Sequence, residues 1–366
     1  MAKNGTKYMR LAASIRALLE SGELHRGDRL YSEHALCMKF QVSRQTARQA
    51  LKELEAEGLI ERRRGSGTYI AKDMLVQRKP TMSIGIISSY LDDYIFPNQT
   101  KGVERVLSEN GYSMHLGITY DKTYHEAKHL RAMLERDVDG VLVEPAKSAL
   151  PHVNASYYQE FLRRGIPMLQ VNTFVKGLDV PYVAVDDARG GYLACMHLIK
   201  MGHRHIGGIF KHDDNQGHLR YQGFMKALNE NDLLVNEEHV YWYSTEDRET
   251  LFALKDSRLV SRMGGCTAVF CYNDQVALAF MEQLRQSGLQ VPKDVSVVGY
   301  DDSNLATVSV PALTSIVHPG LVLGELAAQQ LLQLIAQPSS PAGYLFEPRL
   351  VERESVRRLL PEESKD

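Results

Sequence analysis

The sequence predicts an α/β protein in two parts: a small helical unit closed by a β-hairpin, then a larger body of parallel sheets. Three observations carry this expectation. The first 71 residues read as three short amphipathic helices and a hairpin on a basic segment. From Ser83 onward, short all-apolar strands alternate with amphipathic helices, the pattern of parallel sheets covered on both faces. That alternation runs for roughly 275 residues, which exceeds one small sheet and points to two α/β lobes. A chain of 366 residues is in any case too long for one ordinary core.

In the first unit, Tyr8 to Ser21 reads as a helix with Leu11, Ile15, Leu18 and Leu19 on its apolar face, stopped by Gly22. The run from Arg26 to Arg29 reads as a turn. Ser32 caps a second helix, where Ala35, Leu36, Met38 and Phe40 point inward. Ser43 caps a third, with Ala47, Ala50, Leu51 and Leu54 as its buried stripe and Gly58 as its stop. Leu59 to Arg63 and Thr68 to Ala71 read as two strands joined by Gly65-Ser66-Gly67. Helix, helix, short turn, helix and hairpin make a winged helix-turn-helix.

The third helix presents Arg44, Gln45, Thr46 and Arg48 early and mostly off the buried stripe. Arg can fork onto guanine, Gln onto adenine, and the Thr methyl can meet the methyl of thymine. Arg62, Arg63 and Arg64 sit at the hairpin tip, within reach of phosphates. A solvated amphipathic helix would account for any one of these features. Their combination on a basic segment favours double-stranded DNA. Residues 1–72 hold 14 Lys and Arg against 8 Asp and Glu, a net of +6, so the overall charge of −2 leaves −8 on the remainder.

These residues resemble the DNA-binding domain of the GntR family. The likeness rests on Gly27-Asp28-Arg29-Leu30, Ser32-Glu33, the stretch from Val42 to Thr46, and Gly65-Ser66-Gly67-Thr68-Tyr69. Tyr31 stands where that family usually has proline, and His34 where arginine is common. The resemblance implies DNA contacts from Lys7, Tyr8, Ser32, Glu33, Ser43, Arg44, Gln45, Thr46, Arg48, Arg64, Gly65, Ser66 and Gly67. Residues 1–71 then form the DNA-binding unit, 72–81 a polar linker ending near Pro80, and 82–366 the body.

Ligands of open parallel sheets bind beyond the C-terminal ends of the strands. Read in order, those ends carry Ser88 to Tyr90, Glu144, Asn172, Asp186-Asp187, Lys211 to Asp213, Asn273-Asp274 and Asp301-Asp302. Such acids and amides pair with hydroxyls, and an aromatic plate suits the C–H face of a sugar. Glu144, Arg220, Asn273 and Asp301 are the expected polar contacts, with Arg220 forking across two adjacent hydroxyls. Tyr90 and Phe96 are the candidate plates, although Phe96 fits a helix core equally well. Lys211 and Tyr94 are further pocket candidates. Asn172 and Asp187 read as structural caps. His203 and His205 read as caps of the preceding helix rather than a metal pair, since HxH alone is a weak signal.

The body resembles the effector domain of the LacI/GalR family, itself similar to periplasmic sugar-binding proteins. The motifs are VAVDDARGGYLA (183–194), HLIKMGHRHIGGI (197–209), Cys271-Tyr272-Asn273-Asp274, VPKDVSVVGYDD (291–302) and LTSIVHP (313–319). This implies a two-lobed, periplasmic-binding-protein-like (type I) fold and places Arg220, Asn273 and Asp301 in the pocket. The join of the two resemblances, with SYLDDYIFP, VLVEPAKSAL and IFKHDDNQG, resembles the arabinose-responsive repressors of Gram-positive bacteria. It implies a homodimer on operator DNA, released by L-arabinose as effector, with no cofactor. Another sugar or a nucleoside is the alternative effector.

Two acids beside a sugar would also suit a glycosidase, which has no use for a basic winged helix. No GxSxG, HExxH, P-loop or strand-following GxGxxG appears, so an enzyme is not expected. No apolar run reaches about 18 residues, and MAKNGTKYMR lacks the apolar core of a signal peptide. Cys37, Cys195, Cys266 and Cys271 have no CxxC spacing. Cytoplasmic reduced thiols and no membrane partner are the expectation.

Overall fold

The computed structural model describes residues 7–25, 27–56, 58–63, 66–71, 80–91, 94–251 and 258–359. Two compact units divide the chain, one running essentially to Pro80 and the other from Thr81.

The first unit holds α1 (Lys7–Glu20), α2 (Glu33–Phe40), α3 (Arg44–Ala56), β1 (Ile60–Arg63) and β2 (Gly67–Ile70). Ser32 Oγ accepts from the Ala35 N–H at the start of α2, and Ser43 Oγ accepts from the Thr46 N–H at the start of α3. Gly58 follows α3 at a φ of 71°, the left-handed value that suits glycine. The hairpin is antiparallel, with Ile60 opposite Ile70 and Arg63 opposite Gly67. Leu11, Ile15, Leu36, Ala47, Leu51, Leu54, Ile60 and Ile70 close the core, whereas Met38, expected to point inward, is exposed.

The second unit begins in order. Asp139 accepts from the Thr81 N–H, the Thr81 hydroxyl and the Met82 N–H, so Thr81, assigned to the linker by its sequence, is fixed in the body. Residues 72–79 of that linker lie outside the described residues. There follow β3 (Ser83–Ser88), α4 (Phe96–Glu109), β4 (Ser113–Ile118), α5 (Thr123–Arg136), β5 (Gly140–Val143), α6 (Ala155–Arg163), β6 (Met168–Asn172) and β7 (Tyr182–Val185). The second lobe holds α7 (Asp187–Lys200), β8 (Ile206–Lys211), α8 (Asn215–Asn229), β9 (Val240–Tyr243), α9 (Arg248–Leu251), α10 (Arg258–Arg262), β10 (Ala268–Cys271), α11 (Asp274–Gln286), β11 (Ser296–Val298), α12 (Asn304–Val308) and β12 (Ser315–Ile316). Last come α13 (Gly320–Ala336), β13 (Tyr344–Phe346) and β14 (Leu350–Val351).

A six-stranded parallel sheet runs β13-β7-β6-β5-β3-β4, and a four-stranded one runs β11-β10-β8-β9. In the first sheet, Ile84 and Ile86 pack toward α4 and α13 while Ile87 packs toward α5 and α6, the two-residue period of a strand buried on both faces. In the second, Ala268 and Phe270 face α7 and α8, while Val269 and Cys271 face α10 and α11. Both lobes reverse strand order next to their first strand, between β3 and β5 and between β8 and β10.

The chain crosses between the lobes three times: from β7 to α7, from β12 to α13, and from β13 to β14, which pairs with β12. Within each lobe the helices approach closely. A Cβ on Gly102 of α4 would collide with the Leu321 carbonyl of α13, and one on Gly223 of α8 with the Ala188 carbonyl of α7. The expected strands were found; β9, α13 and the short strands β12 to β14 were not anticipated. No described helix is long and apolar enough to cross a membrane.

Candidate functional site

One cavity collects the strand ends of both lobes. Lobe one contributes Ser89 and Tyr90 after β3, Asp121 after β4, Glu144 and Pro145 after β5, Asn172 and Thr173 at β6, and Tyr94 to Phe96 leading into α4. Lobe two contributes Lys211 and Asp214 at β8, Gln216 and Arg220 from α8, Tyr243 and Arg248 after β9, Tyr272, Asn273 and Gln275 after β10, and Asp301 after β11. The reversal points of both sheets therefore face it, where open α/β sheets bind ligands. The space open to the centre of a water molecule is about 80 Å³. At roughly 10–15 Å³ for one water, that suits one small polar molecule.

All seven residues expected at the pocket, Tyr90, Phe96, Glu144, Lys211, Arg220, Asn273 and Asp301, line this cavity. Glu144 accepts from the Ser89 N–H (2.9 Å) and from Asn172 Nδ2 (3.2 Å). Burial nevertheless pushes its carboxyl up to about 7. Tyr90 and Phe96 meet at 5.6 Å between ring centroids, and Phe96 stands at the first residue of α4 with its ring on the cavity. Arg248 packs over Tyr90 at 5.0 Å and donates to Gln275 Oε1.

Arg220 is almost wholly buried. Its Nε donates to Asp187 (2.8 Å) and its NH1 to the Tyr272 carbonyl (2.6 Å), and its plane lies 3.6 Å from the Tyr300 ring centroid. Two nitrogens are thus committed to protein acceptors. NH1 keeps its second hydrogen and NH2, 3.6 Å from Asp301 Oδ1, is the freer nitrogen, so these two still have N–H groups for a fork across two hydroxyls. Burial pushes Asp187 up to about 6 against the pull of Arg220. Lys211 is likewise tied, to Asp121 Oδ2 at 2.5 Å and near Asp213 at 3.5 Å. Burial works against its charge, but Asp121, Asp214 and Asp213 outweigh it and hold the ammonium well above its usual range. Asn273 caps α11, its Oδ1 accepting from the Val276 N–H.

Three sequence expectations are corrected. Asp187 is not a cap: Asp186 caps α7 by accepting from the Arg189 N–H, and Asp187 is the buried partner of Arg220. Asn172 is not a cap either. It sits at a φ of 65°, joins Glu144 to His318, and lines the cavity. His203 closes α7 through its backbone N–H to Leu198, while its ring bridges Thr267 and the Arg357 carbonyl. Among the described residues the His205 ring caps no helix; its carbonyl accepts from the Thr267 and Ala268 N–H groups.

Asp121, Asp214 and Tyr272 were missed. Asp121 accepts from Lys211, from the Thr245 hydroxyl and from the Lys147 N–H, so it also joins the lobes. Tyr272 donates to Asp214 Oδ2 at 2.6 Å. Applying the strand-end rule to β4 would have found Asp121, which follows it by three residues.

The first unit presents its own face. Arg44, Gln45 and Arg48 are exposed on α3 and Thr46 is half-buried. Arg48 Nε donates to Glu33 Oε2 at 2.8 Å, joining the starts of α2 and α3. Ser43 Oγ and Thr46 Oγ1 are 2.8 Å apart. Lys7 is exposed at the first turn of α1, and Tyr8 beside it packs on the core. In the hairpin, Ser66 Oγ meets Tyr69 Oη at 2.7 Å, and Gly67 lies against the Arg29 side chain. Arg62 pairs with Glu55 and Arg63 with Glu61. Tyr31 accepts from Lys39 Nζ at 2.8 Å, a use for its hydroxyl that proline would not have. Arg64 and Gly65 lie outside the described residues.

A winged helix on the same chain as a two-lobed, ligand-sized cleft defines a DNA-binding transcriptional regulator with an effector domain. Residues 7–70 match the bacterial regulatory proteins of the gntR family, and residues 195–356 match the periplasmic binding protein-like domain. The arabinose metabolism transcriptional repressor of Geobacillus stearothermophilus is 36% identical over 96% of this chain and 98% of its own. That of Halalkalibacterium halodurans is 36% identical over 96% of each. The transcriptional regulator CelR in its cellobiose complex superposes with a TM-score of 0.67 at 28% identity, covering 86% of this chain and 92% of that one. The chain belongs to the family of arabinose metabolism transcriptional repressors; it is a regulator and not an enzyme.

Proposed function

We propose that the chain acts in the cytoplasm as a symmetric dimer on operator DNA and that L-arabinose, held in the cavity, releases it. Arabinose-utilisation genes stay silent until the sugar arrives. The observation that carries the reading is the cavity itself. Carboxylates from both lobes, Glu144 and Asp301, and the ring pair Tyr90 and Phe96 surround space for one small ring. Hydroxyls need such acceptors, and the C–H face of a pyranose suits the rings. The α3 N-terminus supplies the major-groove side chains, and the half-sites of a dimer then face one side of the duplex. Release follows only if the sugar binds more tightly to the state whose winged helices no longer fit the operator.

Calorimetry with L-arabinose, D-ribose, D-xylose, D-galactose and a nucleoside tests the effector. L-arabinose should bind most tightly and, in a gel shift, should release the operator. Preferential binding of another compound moves the effector to that compound. Release by none of them ends the reading. Sedimentation at micromolar concentration should give a dimer.

A further inference from the structure

We propose that Tyr94 is a positioning residue for Asp301, tying the first lobe to the second through the carboxylate that meets the effector. The proposal rests on reading the cavity as the effector site. Tyr94 belongs to the segment between β3 and α4 in lobe one, yet its hydroxyl is hydrogen-bonded entirely to lobe two. It donates to Asp301 Oδ2 at 2.6 Å, with the Tyr300 carbonyl at 2.9 Å, and accepts from the Asp274 N–H at 3.0 Å. The two carboxylate oxygens of Asp301 are thereby distinguished. Oδ2 is held by the tyrosine, while Oδ1 has no hydrogen-bond donor among the described residues and lies 3.6 Å from Arg220 NH2. A carboxylate pinned by one oxygen presents the other in a fixed direction, which spares a ligand the ordering cost.

The backbone at both ends of this bond is strained. Tyr94 has a φ of 78° and Asp301 a φ of 99°, values that side chains other than glycine rarely adopt. Such strain persists only where surroundings over-determine it, and it gathers at ligand clamps. Asp274, beside the bond, is fixed by both Ser303 and Ser315, so the receiving side of lobe two is rigid. Tyr94 leads directly into Ile95 and Phe96, which line the same cavity. A shift of the Asp301 carboxylate therefore reaches the start of α4 through one hydroxyl.

Tyr94→Phe deletes that hydroxyl alone. In ligand-free protein, amide hydrogen exchange should speed up about tenfold or more across 299–303, with the winged helix unchanged and Asp274 less affected, because its N–H also donates to the Tyr300 carbonyl at 2.9 Å. Equal exchange overturns the proposal whatever the effector is. With L-arabinose, Kd should rise about tenfold or more, the worth of one hydrogen bond to a charged group. Stopped-flow should place that rise in the dissociation rate, leaving association within about twofold, because affinity differences among variants of one site fall mostly in dissociation. A merely structural tyrosine would lower Tm and leave dissociation alone, and that result also overturns the proposal. Wild-type protein that fails to bind L-arabinose removes the effector reading instead, and the exchange measurement then decides on Tyr94.

Discussion

The winged helix and the effector cavity both depend on charge, but they hold it in opposite ways. Arg48 pairs with Glu33 while its side chain stays 69% exposed, whereas Arg220 pairs with Asp187 with both side chains 2% exposed. An exposed pair is worth little and is readily exchanged for a phosphate or a base edge. A buried pair cannot be exchanged at all without leaving a charge stranded. The DNA face is thus built for partners that come and go, and the cavity for one occupant held in a fixed frame.

The sharpest way to break this contrast is Arg220→Ala. It leaves Asp187 buried without its cation and should cost about 3–5 kcal/mol of stability in urea denaturation. A loss below about 1 kcal/mol would mean that the pair is no more embedded than those of the winged helix. Next comes the pH response. Glu144 has a pKa of about 7 folded against 4.5 as a free side chain, so the folded chain binds the proton more tightly than the unfolded one. Its contribution is most favourable below pH 4.5, declines between 4.5 and 7, and is lowest above 7, by about 3 kcal/mol. Glu144→Gln should therefore stabilise the effector unit by up to about 3 kcal/mol at pH 8, with the gain shrinking toward pH 4.5. Denaturation midpoints that shift equally at all pH values would contradict it.

Arg44→Ala or Arg48→Ala should change stability by under about 0.5 kcal/mol yet weaken specific operator binding by about 1–3 kcal/mol in a gel-shift titration. Operator affinity and discrimination against unrelated DNA that both stay at wild-type level would remove α3 as the reading element. The smallest effect is expected at the hairpin. Arg62→Ala and Arg63→Ala should each weaken binding across all DNA sequences and lower the salt slope by about one. A sequence-selective loss there would make the wing a base reader.

The winged helix was legible in the sequence almost element by element. Its caps, Ser32 and Ser43, and its stop, Gly58, act locally, and local chemistry is written in adjacent residues. The cavity was legible at its strand ends, because an apolar run breaking into Glu144 or Asn273-Asp274 marks a sheet edge. What escaped was pairing over long separations. Nothing near Asp187 announces that Arg220 will neutralise it, so it read as a cap. Asp121 was hidden in a turn, and its partners Lys211 and Thr245 lie 90 and 124 residues away. Tyr272 read as the end of an apolar strand, although its hydroxyl fixes Asp214. β9, with Val240, Tyr241, Trp242 and Tyr243, was passed over because it is a four-residue edge strand.

The glycine contacts that lock α4 to α13 and α7 to α8 leave each lobe little room to deform. Relative motion must then gather at three short connections, after β7, after β12 and after β13. A mechanism divided in this way separates two kinds of inheritance. Substitutions in the cavity wall can change which molecule is welcomed, and the axis about which the lobes turn stays as it was.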